Sequence, residues 1–241
     1  RPDLFVKPFS LDPGRVVFSG GKYLVPAKVL VYNVGEETAE DIKITYSDNS
    51  GKTGTLYQTS SLISGAYREI TFQWDITPIL FAGQGQGTPT LTITAVQYGP
   101  NPEGNTRNNH YSAQISVDAR PRITAVKPYF PLVPGYYLDR TDLENPIRVQ
   151  VDWNGDLPGT GSAPYGSVAF DLNGAQVQEA GYSWGTEHTY NMGQDFLSSV
   201  ACANNTLRVW AEVPVSGGVF RSLEATLQPT VFPFPEWVEW A

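Results

Sequence analysis

Apolar and polar residues alternate with a period of two along much of the chain. Val25, Ala27, Val29 and Val31 form one such run; Ile42-x-Ile44-x-Tyr46, Ile70-x-Phe72-x-Trp74, Leu91-x-Ile93-x-Ala95 and Tyr111-x-Ala113-x-Ile115-x-Val117 form others. Successive residues of a strand face opposite sides of a sheet, so each run predicts a strand with one side in a core. Turn formers separate the runs: Asn33-Val34-Gly35, the stretch 47–54 (SDNSGKTG), Ser64-Gly65, 83–87 and 99–105. Glycine supplies positive φ in such turns, and Asn or Asp side chains bond the nearby backbone. About seven short strands in ~115 residues is the pattern of an immunoglobulin-like sandwich.

The pattern then restarts. A short polar joint, 118–122 (DARPR), precedes a new strand at Ile123, and further strands are predicted at Ile147-x-Val149-x-Val151-x-Trp153, Val168-x-Phe170-x-Leu172 and Leu207-x-Val209-x-Ala211-x-Val213. Asn173-Gly174 fits a two-residue type I′ hairpin, and Gly217-Gly218 is expected to join the last two strands in the same way. Trp210 is out of phase with Leu207, Val209 and Ala211 and is expected on the opposite side of its strand. The one helical piece expected is 193–203. The fold class predicted is therefore all-β, two tandem immunoglobulin-like β-sandwiches, at 1–120 and 121–230. Pro121 within so short a linker predicts a stiff rod. The tail 231–241, rich in Trp and Phe, is expected to lead into a further domain, and the start at Arg1 rather than Met suggests a piece of a longer exported protein.

The first half carries a more specific likeness. Its residues run Pro2-Asp3-Leu4, then 29–36 (VLVYNVGE), Gly65, Phe72-x-Trp74, and a last hairpin through Asn101 to Asn109 (NPEGNTRNN). That order resembles CARDB, the cell-adhesion-related domain of bacteria and archaea, over residues 2–118, and implies a seven-stranded immunoglobulin-like module. Members of that family often carry an acidic residue where this chain has Gln97-Tyr98-Gly99, which weakens the case for a cation site at this hairpin. Read on their own chemistry, Asn33 would tolerate a left-handed conformation and Gly35 would supply positive φ. Trp74 is the expected core anchor, and Asn105, Asn108 and Asn109 are expected to bond turn backbone.

Charge and residue counts narrow the function. A net charge of -8 with no basic stripe argues against a nucleic-acid partner. The longest apolar runs are broken by Pro26, Lys28 and Asn33, so membrane insertion is not expected. Cys202 is the only cysteine, which excludes an internal disulfide and suits a bacterial or archaeal surface protein better than a disulfide-stapled ectodomain. His110 and His188 stand alone, with no Gly-x-Ser-x-Gly elbow and no His-x-x-x-His or Cys-x-x-Cys pair. An enzyme is not expected.

Two sites remain as candidates. Asp152-x-Asn154-x-Asp156 places three oxygen ligands at alternate positions around Gly155, like the opening of a calcium loop, although Ala163 stands where a closing acid would be. The simpler reading, a strand ending in an Asn-Gly turn, is favoured. Trp153, Trp184 and Tyr182 would form a sugar-stacking platform if they were not core residues. The expected function is a non-catalytic structural, adhesive or spacer segment of a larger surface or secreted protein. It would be extracellular, flanked by other domains, and would meet a protein or glycan surface. The alternative is an accessory carbohydrate-binding region of a secreted enzyme.

Overall fold

The computed structural model describes the backbone of residues 1–128, 147–155, 166–182, 187–192 and 206–227, and side chains within 1–123, 166–176 and 206–226. The first compact unit is built on Arg1–Asp118, and the second begins at Ala119. The described residues of both are nearly all β, in keeping with the immunoglobulin-like class.

The first unit comprises β1 (Leu4–Val6), β2 (Val17–Ser19), β3 (Lys22–Asn33), β4 (Ala39–Asp48), β5 (Thr53–Leu62), β6 (Tyr67–Asp75), helix α1 (Thr77–Ala82), β7 (Gln86–Gly87), β8 (Thr90–Gln97), β9 (His110–Gln114) and β10 (Val117–Asp118). In one sheet β3 carries β6 along one edge and the short β1 and β2 along the other, all antiparallel. The other sheet has the order β5-β4-β8-β9, and β7 with β10 forms a small ribbon.

The alternating positions named above supply the core. Val25, Val29 and Val31 of β3, Ile42 and Ile44 of β4, Ile70 and Trp74 of β6, and Leu91, Ile93 and Ala95 of β8 are all buried. The two sheets meet directly: the Tyr46 and Phe72 rings lie 5.9 Å apart, and Trp74 Nε1 donates to Asp48 Oδ2 at 3.0 Å. Trp74 is 2% exposed and anchors the core as expected.

Tyr23 is fully buried beside this core, and burial pushes its phenol well above the usual tyrosine range. A raised native pKa favours the neutral ring in the folded state. Its contribution is complete below the unfolded value of about 10 and is lost as the pH climbs beyond it toward the native value. Tyr23→Phe is therefore expected to lose less stability than the parent between about pH 9 and pH 11.5. Urea midpoints of both proteins across that range test this; parallel losses would count against it.

Several expectations change. The ten-residue β5 is not predicted by the sequence: with β4 it narrows the turn read at 47–54 to Asn49–Lys52, and it continues through a stretch to which the sequence assigns no element. Its sequence, TGTLYQTSSL, shows no apolar alternation, because most of it is not buried. Helix α1 follows Trp74-Asp75, with Pro78 in its first turn and a backbone bond from Tyr23 N to the Thr77 hydroxyl at 2.8 Å. Six residues are too few to show a helical period. The run 111–117 is one strand in the sequence but two here, since Ile115 N bonds Pro89 O between β9 and β10. The helical piece expected at 193–203 and the tail 231–241 lie outside the described residues.

The second unit contains β11 (Pro121–Pro128), β12 (Ile147–Gly155), β13 (Gly166–Leu172), β14 (Ala175–Tyr182), β15 (Glu187–Met192), β16 (Leu207–Val215), β17 (Gly218–Arg221) and β18 (Ala225–Leu227). One sheet is ordered β11-β12-β15; in the other β14-β13-β16 is extended by β17 and β18, which both pair with β16. Central strand β13 is buried at every residue, so both of its sides are covered.

The Asn173-Gly174 turn is as predicted, with φ of 53° and 95° and Leu172 paired to Ala175. The other hairpin differs. Its turn is Ser216-Gly217, only Gly217 has positive φ, and Gly218 already pairs with Val215 in β17. Trp210 does leave the Leu207–Val209–Ala211 side, yet it is buried. Arg221 stacks on it at 3.8 Å, and its Nε1 donates to Glu212 Oε1 at 2.8 Å.

Candidate functional site

A dense polar cluster sits at one end of the first unit, where β1 begins, β3 ends and the β8–β9 loop returns. Asn33, the last residue of β3, is completely buried and uses every bonding capacity of its amide. Its Oδ1 accepts from Asp3 N and Gly35 N, both at 3.1 Å. Its Nδ2 donates to Glu37 O at 2.7 Å and Leu62 O at 2.9 Å. One side chain thus fastens the N-terminal strand, the β3–β4 loop and the end of β5.

The turn roles read from the sequence do not hold here. Asn33 is a strand residue and neither it nor Gly35 has positive φ. Gly35 is required for space instead: a Cβ there would lie 2.2 Å from Arg1 O and 2.5 Å from Asp3 N. The backbone of residues 1–3 passes over it, with Val34 N bonded to Asp3 O and Glu36 N to Arg1 O. Gly65, by contrast, does supply positive φ, at 74°.

Two carboxylates complete the cluster. Glu103 Oε1 accepts from Leu4 N at 2.8 Å and its Oε2 from Asn109 Nδ2 at 2.7 Å. Asp3 Oδ1 accepts from Asn108 Nδ2 at 2.9 Å. These acceptors fix how both amides are turned, because a carboxylate cannot face a carbonyl oxygen. Asn108 and Asn109 therefore bond acidic side chains rather than turn backbone. Asn105 behaves as expected, accepting from Arg107 N at 3.0 Å. Beside the cluster a cleft of about 380 Å³ is lined by Thr94, Gln97, Asn101, Glu103, Asn109 and His110, among others.

This arrangement is a latch. Each acid is engaged with backbone or amide donors. Its members are separated by as many as 105 residues in sequence, between Asp3 and Asn108. All of them lie in the three stretches that carry the likeness noted above, Pro2-Asp3-Leu4, 29–36 and 101–109, but composition and spacing do not show that they meet.

The residues singled out for calcium and sugar binding are placed as follows. Asp152 and Asn154 lie in β12, which stays extended through Gly155 and pairs Asp152 with Ala125 and Glu187, and Asn154 with Arg122. The Asn-Gly pair is thus within a strand and not in a turn. Asp156 lies outside the described residues. Trp153 pairs with Ile123 in the same strand, whereas Tyr182 ends β14 in the other sheet, opposite Gly166. Trp184 lies outside the described residues. Among the described residues no group of three or more His, Cys, Asp or Glu is placed to hold a metal ion.

No family model and no curated protein matches the sequence. Solved structures do. A CARDB domain from Pyrococcus furiosus, determined in complex with di-metal ions, is 24% identical; the match covers 48% of this chain and 87% of that one, with a TM-score of 0.35. A domain named for a cell surface protein of Methanosarcina acetivorans is also 24% identical, with coverage of 48% and 90% and a TM-score of 0.32. A 1.5-MDa bacterial ice-binding adhesin is 12% identical over 95% of this chain and 65% of its own, with a TM-score of 0.31. The chain is thus similar to CARDB domains of known structure over about half its length.

Proposed function

We propose that this chain is a non-catalytic structural or adhesive segment of a larger surface or secreted protein, holding neighbouring domains apart or meeting a protein or glycan surface. The observation that supports it is the use of Asp3, Asn33 and Glu103. In the cluster where chemistry would be sought, the acids and the buried amide hold the N-terminal strand in place. A site built to react keeps a base or nucleophile free for substrate. The names of the similar structures, a cell surface protein and an adhesin, are of the same kind. Among the described residues no helix is long and apolar enough to cross a membrane. The acidic balance of -8 disfavours a nucleic-acid partner.

Chromogenic ester, glycoside and peptide substrates are expected to show no turnover with the 241-residue chain. A glycan array with the parent and with Trp153→Ala and Trp184→Ala variants separates the readings further. Any glycan binding is expected to survive both substitutions. Binding lost in either would replace this reading with a carbohydrate-binding one, and turnover would remove it.

A further inference from the structure

Two buried side-chain atoms lack a hydrogen-bond partner among the described residues, and both belong to the latch: Asn108 Oδ1 and Asn109 Oδ1. Asn109 is only 6% exposed, so bulk water does not reach its oxygen. A buried carbonyl oxygen left in this way is costly, and native folds rarely leave one without a reason. Turning the amides over does not relieve them. Nδ2 of Asn108 donates to Asp3 Oδ1 at 2.9 Å and Nδ2 of Asn109 to Glu103 Oε2 at 2.7 Å. A flip would set oxygen against oxygen in both pairs.

The two acids lack a counter-charge as well. Asp3 and Glu103 are half-buried, and neither forms an ion pair with a described residue. Gly104 N bonds Pro2 O at 2.8 Å, and a Cβ on Gly104 would lie 3.9 Å from Asp3 Oδ2. The Asp3 carboxylate thus sits against the residue that follows Glu103. Two negative charges and two orphaned oxygens are gathered here, with no cationic side chain bonded to them among the described residues.

We propose that this cluster binds one calcium ion, held by the carbonyl oxygens of Asn108 and Asn109 and the carboxylates of Asp3 and Glu103. The proposal goes beyond the functional reading above and does not depend on it. Every ligand in the set is an oxygen, and amide carbonyls serve calcium alongside carboxylates, so two acids suffice. The N and O of one amide are about 2.3 Å apart, which puts each orphaned oxygen within about 5 Å of the carboxylate that its Nδ2 meets. Two ligands of one calcium, each about 2.3–2.6 Å from the ion, are separated by no more than about 5 Å. A carboxylate has lone pairs enough to keep its hydrogen bonds and hold the ion. The cleft lined by Glu103 and Asn109 admits the ion and the waters that complete its shell. None of the ligands comes from 97–99, the stretch whose lack of acids argued against a cation. Two charges make a weak site, half-saturated at about 0.1–1 mM.

Titration of the chelator-treated full chain with calcium chloride tests this, with sodium chloride at equal ionic strength as the reference. The first unit, followed by the amide signals of 1–118, is expected to melt about 5 °C higher at about 10 mM calcium. Substoichiometric manganese chloride locates the ion without any substitution: the amides of 3–4 and 103–109 should broaden first. Asn108→Asp separates a cation from a buried water. Its new carboxylate faces Asp3, so without calcium it should melt below the parent, and calcium should raise it by more than it raises the parent. Asp3→Asn is expected to bind calcium at least tenfold more weakly. Equal responses to calcium and sodium, or broadening that starts at other acids, would overturn the proposal. So would an Asn108→Asp protein that calcium rescues no more than the parent, or an Asp3→Asn protein that binds as tightly.

Discussion

Asn33→Ala is expected to lower the stability of the first unit by about 3 kcal/mol, the cost of leaving several buried backbone groups without partners. Four bonds end on this side chain: two donors, Asp3 N and Gly35 N, and two acceptors, Glu37 O and Leu62 O. A shift in melting temperature of roughly 10 °C or more follows for a unit of this size. Asn33→Asp sharpens the test. It keeps the shape and the accepting oxygen, yet turns a second oxygen toward the carbonyls of Glu37 and Leu62. It is expected to be no better than alanine. Amide exchange across 1–118, read against denaturant, measures both, because it separates this unit from the second. A loss under about 1 kcal/mol in both variants would show that the bonds are replaced by water at little cost.

Trp74→Ala is expected to cost about 4 kcal/mol, since it removes the largest fully buried side chain of the described core and leaves a cavity between the two sheets. Trp74→Phe keeps most of the ring area but loses the bond from Nε1 to Asp48 Oδ2. That carboxylate also accepts from Ser50 N and Lys52 N, so it shapes the β4–β5 turn. The Phe variant is expected to lose about half as much, with faster amide exchange at Ser50–Lys52. If Phe and Ala cost the same, the hydrogen bond rather than packing would dominate at this position.

The strands that bury one side were legible because burial itself writes the alternation. Val25 to Val31 and Leu91 to Ala95 are examples. Strand β5 was not, for the same reason: an exposed edge buries little and leaves no period to read. The hairpin at Asn173-Gly174 was legible because positive φ at two successive residues restricts the choice of side chain. Gly35 was misread because glycine answers two different demands, positive φ and close approach, and sequence does not distinguish them. The cluster of Asp3, Asn33, Glu103, Asn108 and Asn109 is assembled across the fold. Each pair in it depends on which strands become neighbours, and β1 lies beside β3 and the end of the β8–β9 loop only once the sandwich has closed.

The position of that latch has a mechanical side. Strand β1 begins beside the end of β3, while β9 runs from His110 to Gln114 toward the opposite end, where β10 closes the unit. Tension applied between Arg1 and Asp118 therefore pulls β1 lengthwise along β3. The three residue pairs of β1 and the bonds from Asn33 and Glu103 bear that load together and do not peel one at a time. Resistance to force depends on the unfolding barrier rather than on equilibrium stability. A side chain that ties the first strand to the β3–β4 loop and to the end of β5 raises the force at which the unit yields.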